Sequence, residues 1–426
     1  MSKFKLLSLF TYYAVLLYAI IVMDNMEAPS IILRVAYLLL FSLPILFICP
    51  QHFPAMLIAY MSVGTNHFAF TYFPYDVNYY PVLVALGIVF IKQKHIKARP
   101  PLFLVLFSVL VFFVDFFIDY QVVPAFYGFL TLLLLLCYLN EYDNSQKEFF
   151  ANLLCVMGIA ISYIYLSNYK EFLTIYVGVD SGVERGGWSD PNYLACTIGM
   201  GVMAALIQLL TNVGAKLYLR VFWITSIIVS IIAMVLIASR GALLSVSVGA
   251  IIFIINSNTS KWVKVGFIVS MVVFVICLLN SSYIELLQYR LETESGDGGN
   301  GRFAIWEFKL SAFLTQGNFM NFLFGYGYKG ALYLGHRGYW AIHNDFVALL
   351  CDYGVVGLCM FSYMFYYPIK SSSPENRVTV ITLLLYLVIC CCSLEPFSAG
   401  RLPFYGFYLF IFYIAKSQML NLPNRV

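Results

Sequence analysis

The chain has 426 residues, of which 62% are hydrophobic and 11% are charged, with a formal net charge of +4. Soluble proteins carry about 25% charged residues, so this composition excludes an ordinary soluble protein. It predicts an all-α, polytopic membrane protein, because a lipid-facing helix satisfies its own backbone hydrogen bonds without a charged surface. The small net charge does not indicate a nucleic-acid partner, and we expect none.

Apolar runs long enough to cross a bilayer recur along the whole chain. We predict about fourteen spans, near residues 4–23, 30–49, 53–72, 79–92, 101–119, 122–139, 148–167, 191–211, 219–238, 241–256, 262–280, 343–367, 377–393 and 401–416. Polar residues interrupt the third and fourth of these runs. The predicted organisation is a membrane bundle of about eleven spans at 1–280 with an outer loop at 168–190, one large outer loop at 281–342, and about three spans at 343–426.

The distribution of Lys and Arg predicts the orientation, since short cytoplasmic loops collect these residues. With the N-terminus inside, the inner segments carry Lys3, Lys5, Lys92, Lys94, Lys97, Arg99, Lys147, Lys216, Arg220, Lys261, Lys264, Lys370, Arg377, Lys416 and Arg425. The outer short segments carry Arg34, Lys170, Arg185, Arg240 and Arg401. This asymmetry predicts that both termini are cytoplasmic and that the 281–342 loop lies outside.

The ten cysteines lie in or beside apolar runs, without metal-ligand spacing or a disulfide framework, so neither is predicted. Arginine, in contrast, stands at the outer ends of spans, as in Ser239-Arg240-Gly241 and at Arg401. Two interpretations are open for these arginines. They could extend toward lipid phosphates, or they could form a shared anion site, because arginine is always charged and binds phosphate in a bidentate manner.

Two further segments carry candidate residues. Near the end of the 168–190 loop, Arg185 and Asp190 precede Pro191-Asn192, where Asp190 is typical of a helix cap. In the large loop, Arg302 opens an amphipathic segment at 303–314 that is either an interfacial anchor helix or an anion cradle at a helix N-terminus. One face of this segment is predicted to hold Phe303, Trp306, Leu310 and Phe313.

The loop ends at His343-Asn344, where the twelfth predicted span begins, and Gly354 and Gly357 follow within that span. A histidine at a span end is either a capping or interfacial group or a catalytic one. Its place after a loop rich in polar and aromatic residues, on the side where the arginines collect, favours the catalytic interpretation. The loop aromatics could stack on sugar rings or form a membrane-interface belt.

These motifs together resemble the O-antigen polymerase and O-antigen ligase superfamily, the Wzy and WaaL group. The resemblance covers about residues 182–357 and lies in Ser239-Arg240-Gly241, Gly301-Arg302 with Trp306, Phe324-Gly325-Tyr326-Gly327, and His343-Asn344 with Gly354 and Gly357. It implies a GT-C-like glycosyltransferase of the bacterial inner membrane, acting at the periplasmic face without a metal or other cofactor. Its donor would be a glycan on undecaprenyl diphosphate.

The resemblance also implies roles for single residues. Arg240 and Arg302 would bind the diphosphate, and His343 would position or deprotonate the acceptor hydroxyl. The remaining substrate-binding candidates are Arg185, Asp190, Asn192, Arg337, Asn344 and Arg401.

The number of predicted spans and the Asp190-Pro191-Asn192 turn favour a polymerase, whose acceptor is a lipid-linked repeat unit and whose further partner would be a chain-length regulator. The alternative is a ligase that uses lipid A-core as acceptor. A second alternative, from another class, is a flippase for lipid-linked oligosaccharides. Transporters of that class usually contain two related halves, which the sequence does not show; Asp115 and Asp119 form the acidic cluster that would suit one.

Overall fold

The computed structural model describes residues 101–119, 126, 128–130, 132–133, 136, 144–167, 191–212, 214–237, 239–257, 259–262, 264–267, 269, 302–328, 330, 334 and 342–417. The helices in these ranges are α1 (Leu102–Asp119), α2 (Asn144–Ser167), α3 (Pro191–Thr211), α4 (Leu217–Leu236), α5 (Arg240–Asn256), α6 (Arg302–Gln316), α7 (Phe319–Phe324), α8 (Asp345–Ser371), α9 (Pro374–Ser393) and α10 (Leu402–Lys416).

The described helices are those of a multi-pass membrane protein. Five of them, α2, α3, α4, α8 and α9, are long and apolar enough to cross a membrane, and α1 and α5 are shorter apolar helices. Eight predicted spans coincide with described helices to within four residues at either end. The first four predicted spans, and most of those at 122–139 and 262–280, lie outside the described residues. The total of fourteen therefore stays a prediction, as does the GT-C-like architecture.

The described residues fall into two compact units that alternate along the chain. One takes residues within 131–234 and 402–426, and the other takes residues within 101–130 and 235–401. Residues 302–328 and the segment around His343 belong to the second unit.

In the first unit, small residues allow two helices to approach closely. A Cβ atom added to Gly201 of α3 would lie 2.7 Å from the carbonyl oxygen of Leu154 and 3.3 Å from the Cα atom of Gly158, both on α2. Such contacts are typical of helix pairs in membranes, where packing must replace the hydrophobic effect. Helix α4 also contacts α2, because Trp223 of α4 donates its indole N–H to the Asn152 side chain at 2.7 Å.

In the second unit, α5 packs along α9 through a face of mostly small buried residues. These are Ala242, Ser245, Val246, Gly249, Ala250, Phe253 and Ile254. At the N-terminal end of this contact, a Cβ atom added to Gly241 would lie 2.8 Å from the Oγ atom of Ser393, the last residue of α9. The beginning of α5 and the end of α9 are therefore fixed against each other.

Helix α8 is broken at Gly354, whose φ of 67° and ψ of −167° are not helical. The segment after α7 hydrogen-bonds to the carbonyl groups just before this break. Tyr326 donates its backbone N–H to the carbonyl of Cys351, and Gly327 donates to that of Asp352, both at 2.9 Å. Because an unpaired backbone carbonyl inside a membrane costs several kcal/mol, on the order of the transfer cost of an amide, this docking explains the Phe324-Gly325-Tyr326-Gly327 motif.

Gly325 is required at the contact with α8 for two reasons. Its φ of 79° is unfavourable for residues with a Cβ atom, and a Cβ atom there would collide with the carbonyl group of Asp352. The contact is reciprocal, since a Cβ atom on Gly354 would collide with the carbonyl group of Leu323. Two glycines from distant motifs thus allow one backbone to lie directly on another.

A buried aspartate of α1 secures the same region. The carboxylate of Asp115 accepts a hydrogen bond from the backbone N–H of Tyr328 at 2.8 Å and one from the hydroxyl group of Tyr353 at 3.0 Å. It is 1% exposed, so these donors are what stabilises it away from water. These two hydrogen bonds explain why an aspartate is buried at position 115. The side chain of Asp119 lies outside the described residues.

Helix α6 occupies the place of the predicted amphipathic segment, and its buried residues are Lys309, Ala312 and Phe313. Phe303 is 57% exposed and packs edge-on against Trp306, with ring centroids 5.2 Å apart. The burial of Lys309 was not predicted; it is 1% exposed and donates its ammonium group to the carbonyl of Leu334 at 2.7 Å. Burial lowers the pKa of Lys309. A periodicity argument assigns lysine to the polar face and cannot anticipate such a partner.

We expect Gly325→Ala and Gly354→Ala each to destabilise the protein by at least about 1–3 kcal/mol, the usual cost of holding a non-glycine residue in a disfavoured backbone region. The collisions described above add to this cost. The measurement is the midpoint of thermal unfolding of the purified protein in detergent.

Gly266→Ala is the matched control, because no atom lies within 4 Å of a Cβ atom added there. It should leave the midpoint unchanged or raise it slightly, since alanine is the better residue in a helix. If all three variants unfolded at the same temperature as the native protein, the contact between the 325–327 segment and α8 would not stabilise the fold.

Candidate active site

Three helix N-termini of the second unit meet at the end of α9 and the beginning of the segment that follows it. We call residues 394–401, which join α9 to α10, the α9–α10 connector. The first residues of α5, α6 and α8 are Arg240, Arg302 and Asp345. All three helices have more than two turns, so each N-terminus carries a partial positive charge.

Arg302 binds the end of α9 directly. Its Nη1 atom donates to the carbonyl oxygen of Ser393 at 3.1 Å, where the C-terminal carbonyl groups of a helix attract a cation. The side chain is partly exposed, so the guanidinium group keeps further N–H groups that this bond does not use.

Arg240 lies near the end of α9 because the next residue, Gly241, contacts it. Gly241 lies against the side chain of Ser393, and Ser239 precedes the helix in an extended conformation without a capping hydrogen bond from its side chain. Arg240 itself is partly exposed. Two of the three predicted catalytic residues thus belong to helices that contact the same residue, Ser393.

The third predicted residue, His343, is joined to the connector by Glu395. The backbone N–H of His343 donates to the Oε1 atom of Glu395. His343 has a φ of 53°, a value that is uncommon for residues other than glycine, although histidine adopts it more often than most. Residues held in such regions cluster at functional sites.

The peptide before His343 is fixed from the side of α6. Trp306 donates its indole N–H to the carbonyl of Ile342 at 2.7 Å, and both residues belong to an apolar cluster with Ala312, Phe313, Leu334, Ala348 and Cys351. The backbone that carries His343 is therefore held on one side by α6 and on the other by the connector.

Asp345 attaches the beginning of α8 to the connector. Its two carboxylate oxygens accept hydrogen bonds from the backbone N–H groups of Phe397 and Ser398, each at 2.9 Å. Its own N–H donates to the carbonyl of Leu394 at 3.0 Å. Asp345 is completely buried, and hydrogen bonds of this kind to a carboxylate are stronger than neutral ones.

Asn344 caps α8, because its side-chain oxygen accepts from the backbone N–H groups of Phe346 at 2.9 Å and Val347 at 3.2 Å. Its predicted contact with substrate stays a prediction. Arg401 ends the connector and donates its backbone N–H to the carbonyl of Pro396 at 2.7 Å.

The roles of the other predicted residues stay predictions. Asn192 is the second residue of α3 and belongs to the first compact unit. Pro191 is the first residue of that helix, as the sequence predicted. Arg185, Asp190 and Arg337 lie outside the described residues.

Glu395 and Asp345 were missed as members of the site. Burial raises the pKa of Glu395, and the backbone N–H groups of His343 and Ile342 and the nearby Arg302 oppose this only in part. A signal was present in the sequence, since Glu395 is an acidic residue in the short segment between two predicted spans. Carboxylates at such positions are costly unless they bind something, but the sequence analysis searched the span ends for basic residues.

The arrangement suits an anion with a nearby hydroxyl group. Two arginines and the N-termini of α5 and α6 provide positive charge at one end of the unit, and His343 is a group that can hold or move a proton. Among the described residues, no three His, Cys, Asp or Glu side chains are grouped as a metal site would require.

Comparison with known proteins gives one family match. The Wzy_C family model, described as O-antigen ligase, matches residues 225–362. This match supports the O-antigen ligase and polymerase superfamily and does not distinguish its two activities. The matched region includes Arg240, Arg302 and His343 and ends before the connector. No curated protein matches the chain.

We expect Asp345→Ala to destabilise the protein more than Asp345→Asn. Alanine leaves two buried N–H groups of the connector without an acceptor, at about 1–3 kcal/mol each, whereas asparagine keeps one acceptor oxygen. Unfolding midpoints in detergent would check this order, with exposed Glu307→Gln as the control. Equal stability of Asp345→Ala and the native protein would contradict the assignment of these bonds.

We also expect Glu395→Gln to gain stability relative to the native protein as the pH rises. A carboxyl group whose pKa is raised by folding stabilises the fold below its unfolded-state pKa, about 4.3 for glutamate. That contribution is lost as the pH rises through the folded-state pKa. Unfolding midpoints of both proteins measured upward from about pH 4 should diverge in favour of the variant. Parallel curves would contradict the upward pKa shift, and exposed Glu375→Gln should give parallel curves.

Proposed function

We propose that this chain, whose residues 225–362 belong to the O-antigen ligase and polymerase superfamily, is an O-antigen polymerase. It would transfer a glycan from undecaprenyl diphosphate to a repeat unit that is itself carried on undecaprenyl diphosphate. The reaction would take place at the periplasmic face of the bacterial inner membrane. The observation that carries the proposal is the convergence of Arg302, the Arg240-Gly241 helix start and His343 on residues 393–395.

The reaction requires a nucleophilic hydroxyl group and a stabilised leaving group. The acceptor oxygen forms a bond to the anomeric carbon of the donor sugar, and the bond between that carbon and the diphosphate oxygen breaks. The leaving lipid diphosphate takes the electron pair, and the acceptor hydroxyl loses its proton to a base. Charge therefore accumulates on the diphosphate in the transition state, and stabilising that charge lowers the barrier.

Arg240 and Arg302 are the groups proposed to stabilise the diphosphate. Their guanidinium groups stay charged at any physiological pH and bind phosphate oxygens in a bidentate manner, so neither can act as the base. Both are the first residues of their helices, so the backbone N–H groups of α5 and α6 add partial positive charge beside them.

His343 is proposed to position or deprotonate the acceptor hydroxyl group. An imidazole with an ordinary pKa near 6.5 is suited to accept a proton at neutral pH. The fixed backbone around it supports this role, because a general base must be held within hydrogen-bonding distance of the proton that it removes.

An O-antigen ligase is the second candidate, and the matching family model, described as O-antigen ligase, is as compatible with it as with a polymerase. A ligase would break the same donor bond and transfer the glycan to lipid A-core. The cluster around residues 393–395 suits both activities, because it concerns the diphosphate and the attacking hydroxyl group rather than the identity of the acceptor. A chain-length regulator would be a further partner of the polymerase.

The test of function uses the purified protein in detergent with undecaprenyl-diphosphate-linked repeat units and a gel that resolves glycan length. A ladder of longer lipid-linked glycans without lipid A-core is the result expected for a polymerase. Product formed only after lipid A-core is added would make the protein a ligase. No product with either acceptor, from a defined native donor, would overturn both proposals.

In the same assay we expect Arg240→Ala, Arg302→Ala and His343→Ala each to lower the rate at least about 100-fold, the effect of removing one group that stabilises transition-state charge. Arg302→Lys should recover only part of the rate, since lysine keeps the charge but not the bidentate geometry.

Exposed Arg377 near the start of α9 provides the matched control. It lies almost the full length of a 20-residue helix, about 30 Å, from Ser393, so Arg377→Ala should leave the rate unchanged. Full activity in all three site variants, with normal folding, would contradict the assignment of the site.

A further inference from the structure

We propose that Glu395 is a positioning residue for His343, acting through a hydrogen bond to its backbone and resting on the function proposed above. Glu395 lies outside the region that matches the family model, and no role follows for it from that match. The argument depends on the contacts of the connector with the N-terminus of α8.

The first step is the contact itself. The carboxylate oxygen Oε1 of Glu395 accepts the backbone N–H of His343, 52 residues earlier in the chain. The N–H of Asp345, two residues after His343, donates to the carbonyl of Leu394, the residue before Glu395. Two neighbouring residues of the connector thus bind two nearby residues of the His343 segment, in a short antiparallel arrangement of backbone and side chain.

The second step is the conformation of His343. At a φ of 53° a residue with a Cβ atom is less stable than in the ordinary helical region. Surrounding contacts must therefore hold it there. The Trp306 bond to the carbonyl of Ile342 fixes the preceding peptide, and the Asn344 cap fixes the following turn. The Glu395 carboxylate binds the N–H end of the same Ile342–His343 peptide group whose carbonyl end Trp306 binds, and together these contacts set the direction of the bond from Cα to Cβ of His343.

The third step distinguishes two roles that Glu395 could have, one that depends on the position of its acceptor oxygen and one that depends on its negative charge. Glu395 also lies near Arg302, whose positive charge favours the ionised carboxylate. A role in which Glu395 acts on Arg302 only through its charge would need the negative charge and not the acceptor at its present place. A positioning role needs an acceptor at the place of Oε1 and does not need the charge. These two roles predict opposite orders for two conservative variants.

The experiment compares Glu395→Gln with Glu395→Asp in the glycan-transfer assay. Glutamine keeps an acceptor oxygen at the same reach and loses the charge; aspartate keeps the charge and withdraws the carboxylate by about 1.5 Å, one carbon–carbon bond. We expect Glu395→Gln to keep kcat within a few-fold of the native value. We expect Glu395→Asp to lose about 100-fold in kcat, the usual effect of about 1 Å of misplacement, with little change in the KM for the donor.

A second measurement tests the hydrogen bond between Glu395 and His343 and does not depend on catalysis. Hydrogen exchange, followed by mass spectrometry, would report the protection of the peptide that contains residues 342–345. Glu395→Asp should accelerate exchange there, and Glu395→Gln should not. Hydrogen exchange needs no substrate, so it tests the bond between Glu395 and His343 even if the native protein transfers no glycan. In that case the proposed function fails, and the exchange result still decides whether the bond holds the segment.

Glu375→Asp is the matched control, because Glu375 is exposed and lies at the opposite end of α9. It should change neither kcat nor the exchange of residues 342–345. The reverse order of kcat, with Glu395→Asp faster than Glu395→Gln, would overturn positioning in favour of a charge role. Equal and unchanged kcat in both variants would also overturn it, as would unchanged exchange in Glu395→Asp.

Discussion

The arrangement of the second unit depends on a buried carboxylate, that of Asp345, which accepts two backbone N–H groups of the α9–α10 connector. These bonds hold the beginning of α8 against a segment that has no regular structure of its own. Because Asp345 is fully buried, breaking them would leave polar groups without water to replace their partners. The ends of three other helices then meet at a fixed place, and the residues with chemical function stand on those ends.

Two kinds of contact stabilise this unit within a membrane. Helix pairs such as α5 and α9 come together through small residues, so that the contact is between backbones rather than long side chains. Where a helix is interrupted, as at Gly354, N–H groups from another segment pair with the freed carbonyls. Irregular backbone at membrane depth is stable only when the protein itself supplies such partners. Both contacts require glycine at the point of closest approach.

The sequence was sufficient to predict what depends on local pattern. Apolar runs predicted eight of the described helices to within four residues, and Pro191 predicted the start of α3. Pairings across long separations could not be predicted in this way. Asp345 and Glu395 act on residues 52 or 53 positions away, and one sequence contains no information on which distant N–H groups a carboxylate will meet. The same limit explains why the burial of Lys309, which depends on the carbonyl of Leu334, was not predicted.

Of the candidate site, the residue types were predictable and their mutual arrangement was not. Arg240, Arg302 and His343 were found because arginine at a span end and histidine at a loop end are unusual. That all three lie on elements in contact with residues 393–395 emerges only from the fold. Glu395 was accessible in principle, since an acidic residue between two closely spaced spans is as unusual as an arginine there.

The docking of Tyr326 and Gly327 on the carbonyl groups of Cys351 and Asp352 has a consequence for evolution and engineering. The loop before α8 supplies hydrogen-bond donors that a membrane helix needs, so we expect the loop and the helix to be inherited together. A chimera that exchanged the loop with that of a relative but retained the native α8 would place beside the interrupted helix a loop whose backbone N–H groups do not meet the carbonyl groups of Cys351 and Asp352. Recombination within such proteins should therefore preserve the loop together with the first half of α8, with breakpoints before Arg302 or after Gly357.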